Sequence, residues 1–171
     1  MLRGGTVLAP GDPRAPVQLI DARDAAAWML LQSERGTAGV FNLTGPEQPL
    51  DFGGLLQTAI DALQPSAQLQ WVDENFLLTQ GVAPWTDLPL WLPRAQSGML
   101  AVDLQRARDS GLRCRPLAQT LRNTAAGLSA DLPSAASTAE GPQRPAVGLS
   151  QQREEALLTA WQAQGSQSPR A

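Results

Sequence analysis

Residues 51–72, with the sequence DFGGLLQTAIDALQPSAQLQWV, decide the fold class of this chain. Apolar residues recur there at intervals of three and four, which predicts an amphipathic helix that Asp51 caps and that Pro65 ends. The apolar face of this helix comprises Phe52, Leu55, Leu56, Ala59, Ile60 and Leu63. Residues 69–72 then suit a buried strand. A helix that leads directly into a strand is typical of α/β proteins.

The segment before this helix repeats the alternation of strand and helix. Apolar, β-branched and aromatic residue types predict three short strands, at residues 6–9, 17–20 and 39–43. Between the last two strands, Asp24 is expected to cap a helix over residues 25–35, with Gly36 supplying the left-handed conformation that ends it. This helix is apolar almost all the way round, so we expect burial on more than one side.

Caps and helix breakers organise the second half of the chain. Asp73 and Asp103 are each expected to begin a short helix, and Pro116 suits the first turn of a helix that runs to about residue 128. Ser150 is expected to cap a last helix whose apolar residues dock on the body of the protein, namely Leu157, Leu158 and Trp161.

Composition then predicts three parts. Residues 1–128 form one α/β portion, residues 129–148 a flexible linker rich in Ala, Ser and Pro, and residues 149–171 a C-terminal helix and tail.

The chain of 171 residues contains no lysine, histidine or tyrosine, and this absence restricts its chemistry. Acid–base catalysis mostly uses His, Asp or Glu, Lys, Tyr or Cys, so only carboxylates and one cysteine remain for it. A net charge of −3 gives no electrostatic basis for nucleic-acid binding. Apolar runs fall far short of the ~20 residues of a membrane span, and the N-terminus lacks the apolar stretch of a signal peptide. We therefore expect a cytoplasmic protein that binds neither nucleic acid nor membrane.

Motifs for phosphate or metal binding are missing. Neither G-x-G-x-x-G nor G-x-x-x-x-G-K-[ST] occurs, and Gly36, Gly39 and Gly45 follow a predicted helix instead of preceding one. Without histidine, and with a single cysteine, only oxygen ligands remain, and no calcium-loop spacing is found. We therefore predict no metal site.

A proline-interrupted segment at residues 82–98 contains the strongest candidates for ligand contact. Trp85, Asp87 and Trp91 are predicted to line a substrate pocket, in which aromatic walls with one polar group are common. The same residues suit a buried structural loop equally well, and the sequence leaves both interpretations open.

Positive charge is concentrated in the second half of the chain, at Arg106, Arg108, Arg113, Arg115 and Arg122. The cluster could clamp a phosphate or carboxylate, with Arg115 as the candidate substrate contact, although a solvated helix face is the favoured interpretation. Cys114 lies between two of these arginines, which could lower the thiol pKa. Burial of Cys114 beneath the following helix is favoured over reactivity.

Three segments of the chain follow one another in a familiar order. At residues 20–24 a strand leads to an Asp that opens a helix, and residues 40–45, VFNLTG, match the pattern V-[FY]-N-[LV]-x-G. The third pattern, D-x-x-[RK]-A-x-x-x-G-[LWF]-x-[PT]-x-x-x-[LI]-x-x-[TG], is matched at Asp103, Arg106, Ala107, Gly111, Leu112 and Leu121. Over about residues 3–128 the chain thus resembles the C-terminal portion of an extended short-chain dehydrogenase/reductase, the NAD-dependent epimerase/dehydratase family.

The resemblance implies a Rossmann-like α/β fold with a few parallel strands, helices and a substrate-binding subdomain. It also implies NAD(P) as the cofactor of a full-length relative, bound by an N-terminal part that carries a glycine-rich loop and a catalytic Tyr-x-x-x-Lys pair. Since that part is missing, the leading hypothesis is a truncated oxidoreductase that binds no cofactor and catalyses nothing by itself. Its interior strands would expose pairing edges, so we expect marginal stability and self-association or a partner chain at the sheet edge.

Two alternatives belong to other classes. One is a non-catalytic module that binds a small molecule or another protein. The other is an enzyme that uses Asp or Glu alone, which requires two carboxylates that converge in a pocket.

Overall fold

Two parallel strands organise the fold. Strand β1 (Gly5–Pro10) pairs with β2 (Ala67–Val72) in continuous parallel register. Parallel neighbours need a crossover connection, which here contains two helices. The computed structural model describes residues 4–63, 66–130 and 148–165, and within these ranges the sheet has two strands. The protein is therefore a mixed α/β structure, and both predicted strands at these positions are confirmed.

Helix α2 (Phe52–Leu63) forms as the apolar spacing predicts. The Asp51 carboxylate accepts a hydrogen bond from the Gly54 amide at 2.7 Å, which satisfies one of the unpaired donors of the first turn. The buried side chains of α2 are Phe52, Leu55, Ala59 and Ile60. Helix α2 packs against a later helix of the chain, whose first residue is Leu117. Pro65 lies outside the described residues.

Helix α1 (Ala22–Glu34) begins earlier and is less buried than predicted. Its N-cap is Asp21, whose carboxylate accepts from the Arg23 amide, so the prediction of Asp24 as the cap is wrong. Met29 is 53% exposed and Leu30 66% exposed, so the predicted burial on more than one side is also wrong. The reason is that α1 packs through one face, around Trp28, and the outer face stays open to solvent in the described part of the chain.

Two predicted strands do not form. At residues 17–20 the Val17 amide donates to the Leu50 carbonyl and the Leu19 amide donates to the Gly45 carbonyl, but these two hydrogen bonds do not form a β-ladder. At residues 39–43 no amide donates to an acceptor among the described residues, and the side chain of Val40 is 84% exposed. A strand needs a paired neighbour, which a favourable local sequence does not provide.

The second half of the chain is mainly helical. Its elements are α3 (Glu74–Thr79), a 3-10 helix (Arg94–Leu100), α4 (Gln105–Asp109) and α5 (Leu117–Ala130). The Asp73 carboxylate caps α3, and Gly81 has the positive φ of 73° expected at its end. Asp103 accepts from the Gln105 amide at 2.9 Å, but the N-cap of α4 is Leu104, so the prediction of Asp103 as the cap is wrong. Helix α5 begins at Leu117, one residue after the Pro116 that was predicted to open it. Helix α5 continues two residues into the segment assigned to the linker, of which residues 131–147 lie outside the described ranges.

The last helix, α6 (Gln151–Gly165), docks on the body of the protein as predicted. Its N-terminus is capped by the Ser150 hydroxyl, which accepts from the Arg153 amide at 3.2 Å. Leu157 and Leu158 enter the main core, and the ring of Trp161 lies 5.1 Å from that of Phe76. The main core also contains residues from β1, β2, α2 and the segment after α3, including Leu8, Val72, Leu55, Val82 and Trp91.

Candidate functional site

A charged network joins the N-terminus of α1 to the segment before α5. Arg115 donates to Asp24 three times: from its amide to Oδ2 at 2.8 Å, from Nε to Oδ1 at 2.8 Å and from Nη2 to Oδ1 at 2.6 Å. Its Nε also lies 3.5 Å from Oδ2 of Asp21. Helix geometry explains this arrangement, because two carboxylates three residues apart share one face of the first turn.

Both carboxylate oxygens of Asp21 accept hydrogen bonds, from α1 and from α5. The Arg23 guanidinium donates to both of its carboxylate oxygens, at 2.8 and 2.6 Å, and the Thr120 hydroxyl of α5 donates to Oδ2 at 3.0 Å. The carboxylate is only 6% exposed. The network therefore fastens α1 to α5 through fully paired charges.

These contacts fix the protonation states of both carboxylates. Hydrogen bonds from Arg23 hold the pKa of Asp21 well below its usual value, and hydrogen bonds from Arg115 lower the pKa of Asp24. The cavity beside them, which both aspartates line, has a volume of about 10 Å³. A general acid needs a raised pKa and room for a substrate. Asp21 also lines an open groove of about 450 Å³ with Arg23 and Thr120, so space is present on that side of it. Neither carboxylate has the raised pKa of a general acid, and their described contacts give them an electrostatic and structural role.

Cys114 lines the same small cavity as Asp21, Asp24 and Arg115. It packs in a second apolar cluster with Trp28, Ala107 and Leu112, and its Sγ lies 3.0 Å from the position that a Cβ at Gly45 would occupy. Burial raises the pKa of the thiol, and the negative charges of nearby carboxylates raise it further. The alternative in which flanking arginines lower this pKa is wrong, since burial and the charges of Asp24 and Glu47 raise it.

Trp85, Asp87 and Trp91 occupy one loop but have different surroundings. Trp91 is 2% exposed and belongs to the main core, with its Nε1 only 3.1 Å from where a Cβ would stand at Gly11. Trp85 is 50% exposed and has a positive φ of 66°. The Asp87 carboxylate accepts from the Ala83 amide at 2.8 Å, closing the loop on itself. Trp91 therefore stabilises the core, and Trp85 is the aromatic side chain that the loop presents to solvent.

Arg115 is not brought together with this loop. In the described residues its guanidinium is committed to Asp24 and Asp21, and no hydrogen bond or ion pair joins it to Trp85, Asp87 or Trp91. Ligand binding by these four residues stays a prediction.

The five arginines of the second half do not form one cluster. Arg106 lies 4.5 Å above the ring of Phe41 and donates to the Val40 carbonyl, while Arg115 pairs with aspartates. The other described contacts are Arg108 to the Pro46 carbonyl and Arg113 to the Leu112 carbonyl. The described contacts of Arg106, Arg108 and Arg113 are thus with backbone carbonyls and one aromatic ring.

Sequence reasoning missed Asp21 and Thr120, which complete the network. The signal for Asp21 was present, since it stands three residues before Asp24 and either could cap α1. Thr120 carried no local signal, because its partner is 99 residues away.

No three His, Cys, Asp or Glu side chains of the described ranges come close enough together to hold a metal ion. A separate result is that the helices in the described part of the chain are too short or too polar to cross a membrane. Comparisons with family models, curated proteins and solved structures find no match to this chain.

Proposed function

We propose that this chain is the substrate-side portion of an NAD(P)-dependent epimerase/dehydratase-like short-chain dehydrogenase/reductase, with a Rossmann-like arrangement and a cytoplasmic location. It lacks the glycine-rich cofactor loop and the Tyr-x-x-x-Lys pair of that family. One observation carries the proposal: the three segments on which the resemblance rests contact one another and form a single unit.

Side chains join these segments pairwise. Arg115 of the third segment binds Asp24 of the first. Asn42 of the second segment donates to the Asp103 carbonyl of the third at 2.9 Å, and Arg106 donates to the Val40 carbonyl, also at 2.9 Å. The three segments that follow one another in the sequence are therefore also in contact in the folded chain, as expected when they derive from one domain.

The chemistry of the network supports a binding role without catalysis. Asp21 and Asp24 do converge, as an enzyme that uses carboxylates alone requires, but each carboxylate is paired with a guanidinium group. Their lowered pKa values keep them ionised, so they cannot donate a proton near neutral pH. In a full-length relative, NAD(P) and the proton-transferring groups would come from the N-terminal part of that relative.

Cofactor titration of the pure chain tests this proposal. NADH and NADPH are titrated while their fluorescence is followed, and hydride transfer is assayed in parallel by absorbance. We expect no saturable binding and no turnover. Saturable cofactor binding, or turnover that a Asp24→Asn substitution abolishes, would show an independent active site and refute the proposal.

A second candidate is a non-catalytic small-molecule-binding module centred on Trp85. Both Trp85 and Leu90 adopt a φ of 66° without being glycine, at a cost of about 1–3 kcal/mol each. Strain of this kind concentrates at ligand-binding loops. A ligand-induced rise in melting temperature that Trp85→Phe weakens and the matched Trp161→Phe leaves intact would favour this candidate.

A further inference from the structure

A groove of about 240 Å³ lies between three segments of the chain, within residues 16–18, 45–50 and 100–104. The side chain of Gln18 joins two of its walls, because Nε2 donates to the Val102 carbonyl at 2.9 Å and Oε1 accepts from the Val102 amide at 3.0 Å. Contacts within the protein therefore shape this groove before any ligand binds. Its volume is below the ~300–1,000 Å³ of most ligand sites, so it suits a small molecule.

Arg108 of α4 lines this groove with an incompletely paired guanidinium. Among the described residues it makes one hydrogen bond, from Nη2 to the Pro46 carbonyl at 3.4 Å, which is long for such a contact. It forms no ion pair in this part of the chain, and its buried Nε has no acceptor there. A half-buried cation without a compensating charge is unfavourable, so an anion that reached Arg108 would bind with a gain in free energy.

The rest of the lining is mainly apolar. Leu50 and Leu100 line the groove and pack in or against the main core. At its rim the exposed Gln48 carboxamide has no hydrogen-bond partner among the described residues. An arginine fork, one amide and an apolar wall together suit a carboxylic acid with a short hydrocarbon part.

The charges that line the groove favour a singly charged anion over phosphate. Asp103 is part of the lining, and its Oδ1 accepts from the Gln105 amide at 2.9 Å. This carboxylate repels a doubly charged phosphate more strongly than a monoanion. Phosphate sites also commonly use the amides of a helix N-terminus or several cations, whereas Arg108 is the one cation among the described residues that line the groove.

We propose that this groove binds a small monocarboxylate, with the carboxylate on the Arg108 guanidinium and the hydrocarbon part against Leu50 and Leu100. The site is distinct from the Asp24–Arg115 network, and it goes beyond the function proposed above. Since it requires neither a cofactor nor catalysis, its test is independent of the cofactor titration.

NMR titration of the full chain tests this site, because the Nε–H group of Arg108 gives a signal of its own in a ¹H–¹⁵N correlation spectrum. The probes are acetate, butyrate, neutral butyramide and inorganic phosphate, each added at constant ionic strength. We expect butyrate to shift the signals of Arg108 and of residues 100–104 saturably. Butyrate should bind about tenfold more tightly than acetate, because it buries two more methylene groups. Butyramide should not bind, because it carries no charge.

Two matched variants separate Arg108 from positive charge in general. Arg108→Gln should weaken butyrate binding by about tenfold or more, since it removes a charged hydrogen-bond donor. Arg113→Gln should leave binding intact, because it removes the same charge from an exposed side chain whose described contact is the carbonyl of its neighbour Leu112. If circular dichroism shows that Arg108→Gln has lost helix, Val102→Phe replaces it. This variant narrows the groove while Arg108 stays in place, and it should also prevent binding.

Four results would overturn the proposal. They are the absence of a saturable shift with butyrate, equal binding of butyrate and butyramide, phosphate binding as tight as that of butyrate, and equal butyrate affinities of Arg108→Gln and Arg113→Gln.

Discussion

Replacing Leu157 by alanine is expected to show how strongly α6 is bound to the rest of the protein. Leu157 is 1% exposed and lies in the main core with Leu8, Val72 and Leu77. Alanine keeps the helix intact, since it has the highest helix propensity. The substitution therefore removes packing between α6 and the body without disturbing the backbone.

The size of the effect follows from burial. Truncation of a fully buried leucine removes its transfer free energy and leaves a cavity, which together cost about 3 kcal/mol. For a chain of this length, that lowers the melting temperature by about 6–12 °C. Leu30→Ala is the matched control, because Leu30 lies in helix α1 but is 66% exposed. It should cost less than about 1 kcal/mol.

Circular dichroism during urea and thermal unfolding measures both variants against the unmodified chain. A Leu157→Ala protein that melts within about 2 °C of the unmodified chain would contradict the docking of α6. Equal losses for Leu157 and Leu30 would contradict the assignment of buried and exposed faces.

Three further predictions concern the site. Arginine hydrogen bonds lower the folded-state pKa values of Asp21 and Asp24, so these carboxylates stabilise the folded state above their unfolded-state pKa of about 4. This stabilisation is lost as the pH falls below that value. Urea unfolding between pH 5 and pH 2 should show the loss, and a constant free energy of unfolding would contradict it. The raised pKa and partial burial of Cys114 predict slow thiol labelling at neutral pH that accelerates on denaturation. Labelling of the native chain at the rate of the denatured chain would refute this partial burial. Trp91→Ala should cost about 3–5 kcal/mol and Trp85→Ala less than about 1 kcal/mol in urea unfolding, and a reversed order would contradict the loop geometry.

The helices were largely predictable because their signals are local. Asp51, Asp73 and Ser150 each begin or cap a helix where the sequence indicates, and the apolar spacing of α2 identifies its buried face. In each case the capping side chain and the amides that it satisfies lie within four residues of one another, so a short window of sequence contains the whole interaction.

The strands were predictable only where a partner is present. Residues 67–72 and 5–10 pair with each other and form β structure, whereas residues 39–43 have equally favourable residue types and remain unpaired. Helix α1 shows the same limit for packing, since its apolar outer face around Leu30 is left uncovered. The hydrogen bonds of a strand and the burial of a helix face both depend on what lies across from them.

The sequence by itself determined where α2, α3 and α6 begin and excluded histidine, lysine and tyrosine chemistry. Tertiary structure alone decided that Arg115 neutralises Asp24, that Trp91 is core while Trp85 is exposed, and that Glu154 accepts a hydrogen bond from the Leu8 amide. The physical reason is the range of the interactions. Caps and apolar periodicity act within a few residues, whereas the Asp24–Arg115 and Leu8–Glu154 contacts join groups 91 and 146 positions apart, which only the folded chain brings together.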